Sequence, residues 1–142
     1  MKFRVWKSYK IIEVEGSSMF PSLKTGWYLL FKTKNIEKIK RKEIILHFQE
    51  GKWLIKRIIG LSNEFIQIQN NSLLVNNTEL QEDYLLGPRN SETISQWQLG
   101  SNEYVILGDN SNDSLDSRKF GSVNLPQNLF ALKRRIWPLF DK

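Results

Sequence analysis

Short apolar runs separated by turn residues extend along most of the chain and predict a protein built mainly of β-strands. The strand-like runs occupy residues 9–15, 27–31, 43–48, 52–59, 65–69, 73–75 and 104–107. Residues 65–69 alternate apolar and polar side chains, a period of two that is typical of a half-buried strand. Asn70-Asn71 lies between two runs and Asn76-Asn77 follows the second, so we expect a hairpin and a further turn.

The pattern gives little indication of helices. A short helix is expected only within residues 36–42 or after Pro126, because no long segment repeats every 3.6 residues. Residues 86–98, which contain Gly87-Pro88, form the most loop-like part. The 142 residues show neither an internal repeat nor a low-complexity linker. We therefore expect one mainly β domain, residues 1–142.

The residue types present exclude several classes of site. The chain has no cysteine and a single histidine, His47, which excludes disulfides, thiolate nucleophiles and clusters of cysteine or histidine ligands. We therefore expect no metal and no cofactor. His47 lies in an apolar strand apart from the polar motifs, so we expect a structural or surface role for it.

The net charge of +6 raises the question of an anionic partner. The basic clusters at residues 32–42 and 133–135 have no interleaved aromatic residues that would stack bases, so we expect no nucleic acid. They are either solvated surface or a weak peripheral contact with lipid headgroups. The longest apolar run, residues 27–31, is far shorter than the roughly 20 residues of a spanning helix. Without a signal peptide at the N-terminus, the expected location is the cytoplasm.

A serine-containing turn directly follows the first strand-like run. Residues 16–23 read Gly-Ser-Ser-Met-Phe-Pro-Ser-Leu. Gly16 permits a close backbone approach, and Pro21 fixes the chain just beyond Ser18. A serine on such a turn presents its hydroxyl and its own N–H to one carbonyl group. Taken alone, the segment also fits a polar loop.

Lys56 lies within an apolar strand. Its neighbours on the same face are Leu54 and Ile58. Burial there disfavours the charged amine and would lower its pKa from about 10.4 to roughly 7–8, where it can take a proton from serine. Taken alone, the pattern also fits a lysine that lies along an edge strand with its amine in water. Arg57 points the other way, and we expect a surface charge.

A dense polar loop follows the last strand-like run. Residues 108–121 read Gly-Asp-Asn-Ser-Asn-Asp-Ser-Leu-Asp-Ser-Arg-Lys-Phe-Gly. Such short polar side chains hydrogen-bond to nearby backbone and make a loop rigid. Asp116 and Arg118 are placed to pair, and Ser114 is placed to hold a neutral lysine. A solvated turn is the alternative, since a calcium loop of the EF-hand type would need a closing glutamate.

The three segments, in this order, resemble the motifs of the serine–lysine type I signal peptidases. Those motifs are Ser-Met-x-Pro-Thr-Leu, then Lys-Arg with apolar residues and Gly, then Gly-Asp-Asn with Ser-x-Asp-Ser-Arg and a closing Gly. The resemblance covers residues 11–138. It implies a serine endopeptidase that removes a leader or signal peptide from a precursor protein. The implied fold is an antiparallel β-sheet catalytic domain with a β-hairpin insertion, here approximately residues 64–103.

The resemblance also implies a role for each matching residue. Ser18 corresponds to the nucleophile and Lys56 to the general base. Ser114 falls on the serine that orients the lysine, while Asp116 and Arg118 fall on a supporting ion pair. The departures from the motifs leave all these groups in place: Trp27 replaces an aspartate, residues 61–64 replace Leu-Pro-Gly-Asp, Ser111 replaces an arginine, and the family's membrane-spanning segment is missing.

Three other functions fit part of this pattern. One is a soluble maturation protease for one cytoplasmic proprotein, as small family members are for a nickel-containing superoxide dismutase. Another is a self-cleaving repressor-type protein, which cuts a bond such as Ala-Gly in its own N-terminal arm. Here Ala131 is the single alanine and 17 residues precede Ser18, which argues against self-cleavage. The third is an inactive peptide-binding module, which the presence of every polar catalytic group disfavours.

Apolar residues near the two predicted catalytic groups indicate where a substrate would lie. We expect shallow subsites walled by Ile12, Val14, Met19, Leu23 and Leu54. The family resemblance implies a small residue, typically alanine, just before the cleaved bond. An extended precursor would pair with a strand edge. We expect the enzyme to be a monomer.

Overall fold

Two antiparallel sheets make up the described part of the protein, which confirms the mainly β expectation. The computed structural model describes residues 4–70, 72–81 and 94–140. Its strands are β1 (Arg4–Trp6), β2 (Tyr9–Glu13), β3 (Tyr28–Asn35), β4 (Ile44–Gln49), β5 (Lys52–Gly60), β6 (Phe65–Gln69), β7 (Ser72–Val75), β8 (Thr78–Leu80), β9 (Gln96–Gln98), β10 (Val105–Leu107) and β11 (Asn128–Trp137).

The larger sheet has seven strands in the order β1-β2-β3-β11-β4-β5-β10. Apolar side chains that alternate along its strands form separate core clusters, one around Phe31 and Ile55 and the other around Ile45 and Ile58. β5 lies between β4 and β10 and buries residues on both faces, which explains its nearly continuous apolar sequence. The strand that carries Lys56 is therefore one of the most enclosed parts of the sheet.

The smaller sheet has four strands in the order β8-β7-β6-β9. Its core includes Ile66 and Trp97 and is continuous with Ile59 of β5, so the two sheets share a core. Gly60 allows this contact, because a Cβ there would lie only 2.7 Å from Ile66 Cγ1. The expected turn at Asn76-Asn77 is present, with φ of 49° and 66° at the two residues. The assignment of residues 64–103 as an inserted cap stays a prediction.

The structure differs from the sequence-based expectation in its helices. Residues after Pro126 form the ten-residue strand β11 in the middle of the large sheet, not a helix. The helix expected within residues 36–42 is a single 3₁₀ turn at Ile36–Lys38. A short helix not expected from the sequence, α1, occupies Ser117–Phe120. Of the predicted loop at 86–98, residues 86–93 lie outside the described part, and its last three residues form β9.

Candidate active site

The turn that carries Ser18 begins where β2 ends. Gly16 adopts a φ of 73°, in the left-handed region that favours glycine. The N–H of Gly26 donates to the carbonyl of Val14 over 2.9 Å, which joins the two ends of the turn. Met19 is 2% exposed and anchors the turn in the core. The sequence therefore folds into a fixed turn with Ser18 on it.

Ser18 and Lys56 meet although they are far apart in sequence. Lys56 Nζ donates a hydrogen bond to Ser18 Oγ over 2.9 Å. The lysine side chain is 2% exposed, so its amine is withdrawn from water. Burial lowers the pKa of Lys56 to about 8, and the carboxylate of Asp116 opposes part of this effect. A buried amine with this pKa can accept the proton of the hydroxyl that it contacts.

Ser114 is held close to the turn of residues 14–26, which carries the predicted nucleophile Ser18 and is called the nucleophile turn below, and to the Asp116–Arg118 ion pair. Its hydroxyl donates to Asp116 Oδ2 over 2.6 Å. A Cβ on Gly108 would lie 2.2 Å from Ser114 Oγ and 2.6 Å from the carbonyl oxygen of Ser18, so both groups pack against this glycine. The predicted role of Ser114 in orienting Lys56 stays a prediction, since its described bond is to Asp116.

Asp116 and Arg118 form a buried ion pair. Arg118 Nε donates to Asp116 Oδ1 over 2.9 Å and Nη2 donates to Oδ2 over 2.5 Å, with side-chain exposures of 8% and 0%. Gly108 N–H donates to the same carboxylate over 2.9 Å. Burial alone would raise the pKa of Asp116, but the bonds and charge of Arg118, the Ser114 hydroxyl and this N–H hold the pKa below its ordinary value.

A second ion pair, which was not expected from the sequence, contacts the turn through Ser22. Arg57 Nε donates to Asp109 Oδ1 over 2.8 Å and Nη2 donates to Oδ2 over 2.5 Å. Ser22 Oγ donates to the same carboxylate over 2.5 Å. The Arg57 side chain is only 13% exposed, so its expected role as a surface charge is wrong. These contacts join β5, the polar loop and the nucleophile turn.

The polar loop also binds the backbone of the nucleophile turn. The N–H of Asn110 donates to the carbonyl of Ser18 over 2.9 Å, and its side-chain amide donates to the carbonyl of Ser17 over 3.1 Å. The hydroxyl of Ser17 donates to Asp113. Three loop side chains, those of Asp109, Asn110 and Asp113, thus hold one turn, which explains why the loop contains so many short polar residues.

A small pocket with a volume of about 70 Å³ opens beside the serine and the lysine. It lies between the end of β2, the nucleophile turn and the first half of β5. Its lining consists of Val14, Glu15, Gly16, Ser18, Met19, Trp53, Leu54, Ile55 and Lys56. The pocket therefore places apolar side chains next to the hydroxyl of Ser18.

Comparison with known proteins identifies the chain. Residues 3–137 match the family described as signal peptidase, peptidase S26. The chain belongs to this peptidase family. Signal peptidase I of Bacillus caldolyticus is 31% identical over 141 residues, which cover 88% of this chain and 78% of the relative. Signal peptidase IB of Staphylococcus aureus is 28% identical over 150 residues, which cover 90% and 78%.

The fold agrees with this assignment. A crystal structure of a signal peptidase I from Enterococcus faecalis matches with a TM-score of 0.57 and 27% identity, over 68% of this chain and 97% of that chain. The S26 peptidase described here is thus a serine peptidase with signal-peptidase-I-like activity, and the family resemblance seen in the sequence is confirmed. Family membership implies precursor proteins as substrates.

Five residues were expected to wall the substrate subsites of this S26 peptidase. Val14, Met19 and Leu54 line the pocket. Ile12 is fully buried and Leu23 is 6% exposed, and both belong to the core cluster behind the pocket. They support its wall instead of lining it, because β2 and the turn direct them into the sheet core. Trp53 and Ile55 line the pocket and were missed, although their strand positions next to Leu54 were a usable signal.

His47 of this peptidase is buried, as a structural role requires. Its Nε2 lies 3.1 Å from Gln49 Oε1. Its ring centroid lies 6.4 Å from that of Phe120, a residue of the polar loop. Burial lowers its pKa, while the contact with Gln49 acts in the opposite direction.

Within the ranges that the structure describes, no three metal-ligating side chains come together and no helix is long and apolar enough to cross a membrane.

Proposed function

We propose that Ser18 and Lys56 are the catalytic dyad with which this peptidase removes a leader or signal peptide from a precursor protein, after a small residue. The observation that carries the proposal is the 2.9 Å hydrogen bond between the lysine amine and the serine hydroxyl. A buried lysine facing a serine on a fixed turn has a direct catalytic use, whereas an inactive peptide-binding module has no need of it. Ser114, Asp116 and Arg118 would hold this pair in place.

The proposed reaction has two steps, formation and hydrolysis of an ester on Ser18, and Lys56 transfers the protons in both. Neutral Lys56 Nζ takes the hydroxyl proton as Ser18 Oγ bonds to the carbonyl carbon of the substrate. The N–H of Ser18 donates to the oxyanion that forms. The protonated amine then gives its proton to the leaving nitrogen as the peptide bond breaks. Water, deprotonated by the same amine, attacks the carbonyl carbon of the resulting ester, and the amine returns the proton to Ser18 Oγ as the acyl–oxygen bond breaks and the acid leaves.

Among the described residues, no strand pairs with the outer edge of the first half of β5, which offers a place for the substrate backbone. β4 pairs with β5 from Lys52 to Arg57, but β10 pairs only with its second half, from Arg57 to Gly60. An extended peptide can therefore bind along the first half of β5 by strand addition. The adjacent pocket of about 70 Å³ is smaller than the roughly 150 Å³ cavity that holds a benzene ring, so short side chains fit it best.

The pH dependence tests the role of Lys56. Only the neutral amine can act as base, so kcat/KM is expected to rise with pH and to level off above the Lys56 pKa of about 8. Below that pKa, kcat/KM should fall about tenfold per pH unit. The measurement is the rate profile for a precursor peptide with alanine before the cleaved bond. His47→Ala is the control, since the shape of a profile does not depend on how much enzyme is active. A limb that lies below the ordinary histidine pKa of 6.5 and disappears in this variant would assign the base to the histidine.

The cytoplasmic location stays a prediction, and we propose that any contact with membranes is weak and salt-sensitive. Two cations of the basic cluster at residues 32–42 are already paired within the protein. Lys34 Nζ lies 2.5 Å from Glu43, and Arg41 Nη2 lies 2.6 Å from Glu64. This pairing leaves less charge for lipid headgroups, although Trp137 and Phe140 are 59% and 82% exposed.

Sedimentation with vesicles tests this proposal. With anionic vesicles most of the protein is expected to stay in the supernatant at ~0.15 M salt, and the bound fraction is expected to vanish at ~1 M salt, where charge attraction is screened. Neutral vesicles are the control for apolar insertion. Retention that resists high salt would contradict weak contact and would point to the exposed aromatic side chains.

A further inference from the structure

One peptide group of the nucleophile turn contains both the carbonyl of Ser17 and the N–H of Ser18. The two point in opposite directions within one rigid plane, because this peptide bond is trans. Among the residues that the structure describes, no protein group accepts a hydrogen bond from the N–H of Ser18. This N–H is therefore available to the oxyanion of the proposed reaction, and any group that binds the carbonyl also fixes the direction of the N–H.

Two donors bind the carbonyl of Ser17. The N–H of Phe20 donates to it over 3.0 Å from within the turn, and Asn110 Nδ2 donates to it over 3.1 Å from the polar loop. A carbonyl oxygen has two lone pairs, and both are used here, so the plane of this peptide group cannot easily rotate. Bonds to the oxygen also polarise the peptide group, which makes the N–H on its other side a better donor.

Asn110 is itself held in place for this contact. Its backbone N–H donates to the carbonyl of Ser18 over 2.9 Å. Its Oδ1 accepts a bond from the N–H of Asn112 over 3.3 Å, so the amide oxygen is engaged within the loop while Nδ2 binds the turn. Asn110 thus binds the peptide groups immediately before and immediately after Ser18.

We propose that Asn110 is a positioning residue for the oxyanion. Its side-chain amide orients and polarises the Ser17–Ser18 peptide group, so that the N–H of Ser18 points at the oxygen on which negative charge develops. The inference rests on the proposed function. Because the bond from this N–H strengthens as the charge forms, loss of the amide should slow the chemical step and leave the binding of uncleaved substrate unchanged.

Asn110→Ala removes the amide and keeps the backbone bond to Ser18. For a precursor peptide with alanine before the cleaved bond, kcat should fall by about tenfold to a hundredfold, because removing an oxyanion donor outright costs roughly 10²–10³-fold and a misdirected donor costs less. Affinity for the same peptide, measured in Ser18→Ala protein with and without Asn110→Ala, should stay the same, which also shows that the fold is intact. Asn112→Ala is the matched control and should keep the wild-type kcat, since this side chain is exposed and makes no hydrogen bond within the described ranges.

Asn110→Asp separates the donated bond from the shape of the loop. Aspartate keeps the size of the side chain and an acceptor for the N–H of Asn112, but it turns an oxygen towards the carbonyl of Ser17 in place of a donor. The rates are compared on the high-pH plateau of each variant, so that an effect of the new charge on the pKa of Lys56 does not contribute. Asn110→Asp should be at least as slow as Asn110→Ala. A wild-type rate in Asn110→Asp would show that only the shape of the loop matters and would overturn the inference.

The carbonyl ¹³C chemical shift of Ser17 reports the hydrogen bond without any substrate. It should move upfield in Asn110→Ala, because the carbonyl loses one of its two donors, and an unchanged shift would contradict the inference. So would an unchanged kcat in Asn110→Ala, if the wild-type enzyme cleaves the peptide and Ser18→Ala does not. If the wild-type enzyme cleaves no precursor peptide, or if Ser18→Ala keeps its activity, the proposed function fails and the inference fails with it.

Discussion

Replacing Ser18 or Lys56 by alanine is expected to reduce precursor cleavage by as much as about 10⁶-fold, because each change removes one half of a functional unit. Without the hydroxyl there is no nucleophile, and without the amine nothing accepts its proton over the 2.9 Å contact. The double variant should be no slower than either single variant, since neither group acts alone. Single-turnover cleavage of a labelled precursor peptide measures all three rates.

Two exposed residues of the same types provide the controls. Lys38→Ala changes an exposed lysine of the 3₁₀ turn, and Ser101→Ala changes an exposed serine in a turn, and both should keep wild-type rates. Thermal unfolding of each variant shows whether the fold is intact. If Ser18→Ala kept substantial activity while Ser17→Ala lost it, the nucleophile would be Ser17. In the structure the hydroxyl of Ser17 donates to Asp113.

The sequence pattern predicted the burial of Lys56 and the pairing of Asp116 with Arg118, whereas the encounter of Ser18 with Lys56 was implied by the family resemblance. A lysine between two aliphatic side chains on a strand shares their face and is buried where another element covers that face, and Lys56 is 2% exposed. Likewise, the spacing of Asp116 and Arg118 permits a local pair without any long-range contact, and they do pair. Features that depend on alternation or on near neighbours in sequence could therefore be predicted.

Features that depend on distant strands could not. The pairing of Arg57 with Asp109 requires Leu107 of β10 to lie opposite Arg57 of β5, a register that neither strand specifies alone. The helix considered after Pro126 is replaced by β11, because tertiary pairing with β3 overrides weak local propensity. Ile12 was expected to line the pocket because alternation gives a face of the strand, but alternation does not say which part of that face another element covers.

Removing the carboxylate of Asp116 is expected to destabilise the protein by about 3–5 kcal/mol, because it leaves the guanidinium of Arg118 buried without its partner. The Ser114 hydroxyl and the Gly108 N–H lose the same acceptor. Asp116→Ala should therefore lower the melting temperature by roughly 10 °C or more. Arg118→Ala should have a similar effect, since it leaves the carboxylate buried without its counter-charge.

The lowered pKa of Asp116 determines how the free energy of unfolding changes with pH. Its stabilising contribution is fully present above the ordinary aspartate pKa of 3.8 and is lost as pH falls through the lower value of the folded state. The gap in unfolding free energy between wild-type protein and Asp116→Ala should thus narrow in strong acid. Denaturant unfolding at neutral and acidic pH measures it.

A more exposed ion pair of the same chain is the control that shows whether the loss of stability depends on the burial of the Asp116–Arg118 pair. Lys34 and Glu43 also lie 2.5 Å apart, but their side chains are 31% and 25% exposed. Glu43→Ala should therefore cost less than about 1 kcal/mol. Wild-type melting in both Asp116→Ala and Arg118→Ala would show that the buried pair contributes nothing to stability. If cleavage nevertheless slowed in those variants, the pair would act only by holding Ser114 and Gly108 beside the nucleophile turn.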